Sequence, residues 1–428
     1  MKKILALASI LTVLASSCRK EAVPEVYYNE VMKLAYDTYA GQFDFIWKNI
    51  STGYVFWDID TTNWDRVYDE CMPQLMALDN QVNQGQSIQD SVLLGIYQTA
   101  MGQMTDHHMS VAIKNLHPAP GNVGHIQVRP GIIAMNKRPE YIEPRLLALL
   151  RLLDFQENIE REFSADKDIK IIEHQFITVE TPENVNYGYN LFQLPDGRLV
   201  PYLWQSAATL SPVFEYMGED NEAGRAAAVL DHFFSLISTT PREKLAGIIL
   251  DNRVNAGGWQ DDLDYLIGSY INEEVTMFQT RYKEGPGRLE HSVWTDYKQK
   301  PLAKYHRDIT KENIPFIILI DLASISMGEI EPICARALLP TAYIIGETSF
   351  GATGPLQSEL VDLNYGGSFG NSDLSTGHYV YTSDFESRVG GTNYEGKGIV
   401  PDLEVIRKDH GGSFKAAIDA ALKYAGER

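Results

Sequence analysis

Ser326 is followed three residues later by Glu329, and both stand just beyond an apolar run that ends at Asp321. A serine at a helix start holds its hydroxyl beside unpaired backbone N–H groups, at the positive end of the helix dipole. Such donors suit the oxyanion of acyl transfer, with the serine as nucleophile. The pair also has a plain structural use, because serine is a preferred N-cap and Ser-x-x-Glu is capping-box spacing. Asp251 is followed by Asn252-Arg253-Val254-Asn255-Ala256-Gly257-Gly258-Trp259. Paired glycines there either aim backbone N–H groups at a ligand or simply make a turn. Glu347-Thr348-Ser349-Phe350-Gly351-Ala352-Thr353-Gly354 is another glycine-rich exit from an apolar run. Upstream, Asp106-His107-His108 supplies imidazoles, whose reference pKa of about 6.5 lets them take and return a proton near neutrality. Asp106 is expected to cap this turn. A His-His pair also binds metals, but further ligands at useful spacing are missing, so neither metal nor cofactor is expected.

The elements that must position these groups follow from periodicity. Residues 27–49, 64–78 and 87–104 place apolar side chains at helical spacing and predict an N-terminal helical bundle. His117-Pro118-Ala119-Pro120-Gly121-Asn122 is a turn-rich boundary. Residues 141–163 read as helix and 169–179 as strand, and a hairpin is expected around Pro195-Asp196-Gly197. From about Tyr202 the rhythm becomes strand, helix, strand, helix. Residues 246–251, 315–321 and 342–347 are short buried strands, with helices at 223–237 and 326–338. Buried strands alternating with helices predict an α/β domain with a mostly parallel sheet, whose functional groups gather beyond the strand carboxyl ends.

Composition limits what such a site acts on. The chain has 428 residues and a formal net charge of -20, without the basic stripe that nucleic acid or an anionic membrane surface requires. Met1-Lys2-Lys3, the apolar run from Ile4 to Leu14 and Ala15-Ser16-Ser17 have the layout of a secretory leader over residues 1–17. Small residues directly ahead of Cys18 look like a bacterial lipoprotein cleavage box, which makes Cys18 the lipidated mature N-terminus; simple cleavage beside an incidental cysteine is the alternative. Losing Lys2 and Lys3 with the leader takes the formal charge from -20 to -22. Localisation is therefore expected in a bacterial cell envelope, with the membrane touched only through an N-terminal lipid. Cys71 and Cys334 lie in apolar helical stretches and are expected to be buried free thiols.

Taken in order, these pieces resemble the serine peptidases that include the C-terminal processing (tail-specific) proteases and the tricorn core protease. The resemblance runs through most of residues 200–405 and the end of the helical segment. It rests on Asp251 to Gly258 as R-x-N-x-G-G after an acidic strand end, and on Ser326 with Glu329. Gly346-Glu347 with Gly351, the run from Glu395 to Asp402, and Met104-Thr105-Asp106-His107-His108 complete it. The processing proteases carry a lysine base just after the Phe-Gly of the strand exit, where this chain has Ala352. The tricorn-like branch instead uses a histidine from the upstream turn and a glutamate near the C-terminal run, matched by His108 and Glu395. That branch also has a serine directly before its histidine, and His107 stands there.

The resemblance implies a ClpP/crotonase-like core and peptide-bond hydrolysis through an acyl-enzyme at Ser326. It gives His108 the role of general base and Glu395 that of orienting acid, with backbone N–H groups of Gly257, Gly258 and Met327 as oxyanion donors. Trp259 and Gly351 are the candidate substrate contacts, Trp259 reading equally as plain cover for the core, and a peptide or protein is the expected partner. The organisation expected is a leader (1–17), a helical segment (18–116), an α+β insert at the position of a PDZ module (117–198) and a peptidase core (199–428). The insert lacks a Gly-Leu-Gly carboxylate-binding loop, so a PDZ fold is not expected of it. A rival from another class is a surface lipoprotein that keeps the fold and binds peptides or glycans without cleaving them. The absent lysine and His107 sustain that rival.

Overall fold

The computed structural model describes residues 37–180, 185–356, 364–407 and 414–428; the leader, Cys18 and the start of the helix expected from residue 27 lie outside the described residues. Helices α1 (Tyr39–Gly53), α2 (Trp64–Asn83) and α3 (Asp90–Met101) form the N-terminal segment. Thr38 and Asn63 cap α1 and α2 by accepting from Gly41 and Arg66 N–H. Their apolar faces, including Phe43, Ile46, Leu75, Leu93 and Tyr97, close on one core, in which Cys71 is a buried free thiol.

That core is floored by strands from both ends of the chain. β1 (Ser110–Lys114) and β2 (His125–Val128) pair antiparallel, and β1 also pairs with β12 (His378–Tyr381), which pairs with β11 (Phe369–Gly370). The helical segment is thus stitched to the C-terminal half by a sheet, with Val111 opposite Val380.

The second sheet has seven strands: β3 (Lys170–Val179), β4 (Val185–Gln193), β5 (Leu199–Gln205), β6 (Ile248–Asp251), β9 (Phe316–Ile320), β10 (Ala342–Gly346) and β14 (Leu403–Glu404). From β5 through β6, β9 and β10 to β14 all pairings are parallel, whereas β3, β4 and β5 form an antiparallel meander. The β4–β5 turn closes through Gly197 N–H on Leu194 O, as the Pro-Asp-Gly signal predicts. The parallel strands β6 and β9 are buried at every position, which explains their continuous apolar sequences. Helices α4 (Arg145–Glu157) and α7 (Lys415–Gly426) contribute to the core on one side of the sheet, and α5 (Glu222–Thr239) and α6 (Met327–Leu338) to that on the other. A small sheet of β7 (Val275–Tyr282), β8 (Thr295–Gln299) and β13 (Phe385–Arg388) completes the architecture.

Within residues 117–198, β3 and β4 extend the main sheet, and β4 pairs with β5 across the boundary drawn at 198. Local periodicity shows that a strand exists but not which sheet it joins. No helix among the described residues is long and apolar enough to cross a membrane.

Candidate active site

Ser326 caps α6 from a backbone conformation of φ 59° and ψ -123°, in the left-handed region that non-glycine residues rarely enter. Burial of the carboxylate three residues on explains why the chain accepts this strain. Glu329 is fully buried and accepts from Ser326 N–H (3.3 Å), Ser349 Oγ–H (2.5 Å), Gly351 N–H (2.7 Å) and Ala352 N–H (2.8 Å). Its reach back to the Ser326 backbone is the capping-box half expected of it, but three of its donors belong to the exit from β10. Burial pushes its carboxyl up to about 7 against those donors.

The glycine loop after β6 packs directly on this turn. A side chain at Gly257 (φ 81°) would place a Cβ 2.4 Å from Ser326 Cβ and 2.9 Å from Met327 N, so only glycine fits. Ile325 N–H donates to Asn255 O at 2.9 Å, tying the two turns together. Among the described residues, Met327 N–H and Gly258 N–H have no hydrogen-bond acceptor, whereas Gly257 N–H donates to Asn255 Oδ1 at 2.8 Å. Two of the three predicted oxyanion donors are therefore open and the third is engaged. Trp259, next in the chain, is 60% exposed.

The histidine turn arrives from the other half of the molecule. Asp106 is fully buried and accepts from His108 N–H (2.9 Å), Met109 N–H (3.1 Å), Ser383 N–H (2.8 Å) and Thr382 Oγ–H (2.6 Å), so it caps the turn as expected. His107 donates its backbone N–H to Glu395 Oε1 at 2.9 Å, and its Nδ1 lies 2.8 Å from Phe350 O. His108 Nδ1 is enclosed without a partner. Burial lowers His108 to about 4, with the Asp106 carboxylate opposing the shift, and burial lowers His107 as well. Both rings are therefore neutral near pH 7.

Glu395 is buried and takes His107 N–H, Thr353 N–H (2.6 Å), Thr353 Oγ–H (3.1 Å) and Gly354 N–H (2.8 Å). Burial, and then the Asp106 carboxylate, push its carboxyl up. It reaches the histidine turn through a backbone N–H and not through an imidazole nitrogen. A single stretch, Phe350 to Gly354, joins every part: Phe350 O to His107, Gly351 and Ala352 N–H to Glu329, Ala352 O to Ser326 N–H (3.0 Å), and Thr353 and Gly354 N–H to Glu395. Ser326, His107 and Glu395 are thus gathered around one crosspiece, and His108 follows His107 in the turn that Asp106 caps.

Residues 216–405 match the profile of peptidase family S41. Over that stretch the chain is similar to peptidase family S41. The match takes in Ser326, Glu329 and Glu395 and leaves out His108, which the helical segment supplies. A carboxy-terminal-processing protease of Bartonella bacilliformis is 31% identical over 171 residues, covering 39% of this chain and 33% of that protein. The matched stretch thus spans a third of the length of that relative. Among solved structures, a candidate peptidase from Parabacteroides merdae superposes with a TM-score of 0.59 at 16% identity, covering 91% of this chain and 96% of that one. Mature CPAF in complex with lactacystin gives 0.52 at 12% identity, covering 92% of this chain and 98% of that one. At these identities the likeness concerns the fold.

Other sequence expectations change in this core. Gly351 is buried, with its N–H on Glu329 and its carbonyl accepting from Gly396 N–H at 2.8 Å, so it packs the crosspiece and offers substrate nothing. Ala352, at the position of the absent lysine, is fully buried in a small apolar cluster with Met135, Leu322 and Phe350. Sequence reasoning missed Asn255, Ser349 and Thr353 as partners of the loop and the two glutamates. Their only sequence signal is that they lie within the strand exits. Of metal-type clusters among the described residues, Asp58, His291 and Glu386 come together, but Arg281 Nε already pairs with Glu386 at 2.5 Å and its guanidinium also pairs with Asp58.

Proposed function

We propose that the protein is a secreted serine-type peptidase that hydrolyses peptide bonds through an acyl-enzyme at Ser326, in the manner of the tricorn-like branch. Ser326 Oγ attacks the substrate carbonyl carbon while its proton passes to the neutral His108. The tetrahedral oxyanion is bound by Met327 and Gly258 N–H, each donor contributing on the order of 3 kcal/mol. His108 returns the proton to the leaving amine, and water then hydrolyses the ester by the reverse sequence. Glu395 sets the position of the histidine turn through His107 N–H. The observation that carries this reading is the strained Ser326 turn on a helix N-terminus beside open backbone donors, the arrangement a nucleophilic serine needs. Exposed Trp259 is the candidate substrate contact.

The expected result is that protein beginning at residue 18 cleaves unfolded protein substrates and that Ser326→Ala removes the cleavage. Cleavage retained in Ser326→Ala would contradict the assignment. Saturable peptide binding by both proteins without any cleavage would instead favour the non-hydrolytic lipoprotein, a reading that the engaged Gly257 N–H supports. Attachment through a lipid on Cys18 belongs to the same proposal. Metabolic fatty-acid labelling that survives Cys18→Ala would contradict it.

A further inference from the structure

We infer that His107 is a positioning residue of this chain, an imidazole clamp that holds the His108 turn against the crosspiece carrying Ser326; the inference rests on the peptidase reading above. Three contacts define the clamp. The Nδ1 atom lies 2.8 Å from Phe350 O, and a carbonyl oxygen only accepts, so Nδ1 carries the proton and Nε2 is the unprotonated nitrogen. The ring packs on the Phe350 ring with centroids 5.3 Å apart. The backbone N–H donates to Glu395. Gly131 closes the joint from behind, since a Cβ there would lie 2.4 Å from His107 O and 2.8 Å from the Phe350 ring.

The clamp matters because of what lies on either side of His108. On its C-terminal side the turn is pinned by Asp106, which takes the His108 and Met109 N–H groups and is itself held by Thr382 and Ser383. Toward the core, His107 provides the side-chain bond to the β10 exit, the stretch whose Ala352 O holds Ser326 N–H. A serine hydroxyl at this position is too short to reproduce the packing of a ring against Phe350. Misplacing a reacting pair by about an ångström costs on the order of a hundredfold in rate.

The test compares His107→Ala with His107→Asn, whose amide N–H stands near the place of Nδ1–H. Expected is a ten- to hundredfold slower reaction of Ser326 with a fluorophosphonate in His107→Ala, with recovery to within about fivefold of the parent in His107→Asn. An unchanged rate in His107→Ala would overturn the proposal, as would equal impairment of both variants. Complete loss in His107→Ala alongside full reactivity in His108→Ala would overturn it too, by making His107 the base. A second readout does not depend on activity. In protein with 15N-labelled histidine and Ser326→Ala, the His107 signals should report the Nδ1–H tautomer, and the His108 signals should move in His107→Ala but not in His107→Asn. An Nε2–H tautomer would refute the clamp even if the protein proved unable to hydrolyse peptides.

Discussion

At the scale of single residues, the site is built from groups whose environments oppose their ordinary chemistry. His108 is held near pKa 4 by burial. A base must be deprotonated to work, so the fluorophosphonate rate should stay flat from neutrality down past the ordinary imidazole value of about 6.5 and fall only as pH nears 4. A midpoint near 6.5 would show that the ring is solvated when Ser326 reacts. The same shift destabilises the fold in acid, because protonation is favoured in the unfolded chain first and the contribution is lost as pH falls through 4. Gly257 allows a sharper test. Its φ of 81° and the 2.4 Å approach to Ser326 Cβ leave no room for a methyl group. Gly257→Ala should lower stability by about 1–3 kcal/mol in thermal unfolding and abolish labelling.

At the scale of elements, the exit from β10 is the part on which the rest depends. Glu329 takes donors from both the α6 turn and this exit, so Glu329→Gln, which turns an acceptor into a donor, should cost about 1–3 kcal/mol by leaving buried donors unmet. Its carboxyl is raised to about 7, so its contribution to stability is full below the ordinary value of about 4.5 and is lost as pH rises through 7. The fall in Tm between pH 5 and 7 should therefore be shallower in Glu329→Gln. Much of this layer was legible in the sequence: buried strands, the helix from 326 and the glycine loop follow from apolar runs and turn residues. The sheet membership of β3 and β4 was not, because pairing partners distant in sequence leave no periodic signature. Glu329 and Gly351 were legible as positions but not as roles, since a capping box and a buried hub share one spacing.

At the scale of the whole molecule, the proposed base, His108, and the proposed nucleophile, Ser326, come from different halves that must stay in register. β1–β12 pairing makes one connection, and the end of β7 with the loop after it makes another. There Arg281 bridges Glu386 and Asp58, Arg288 pairs with Asp65 at 2.5 Å and His291 Nε2 donates to Val55 O at 2.8 Å. Arg281→Met leaves the buried Glu386 without its cation and should cost on the order of 3 kcal/mol. Faster hydrogen exchange should follow across residues 54–65 and the 105–109 turn. Exchange confined to the β7 loop would mean that the histidine turn is held independently. All of this serves one claim, that Ser326 is a nucleophile activated by His108. The most direct measurement is mass-spectrometric mapping of the fluorophosphonate adduct on the intact protein. The account predicts a single adduct on Ser326, absent in Ser326→Ala and at least a hundredfold slower to form in His108→Ala. An adduct elsewhere, or one that forms at the parent rate without His108, would contradict it.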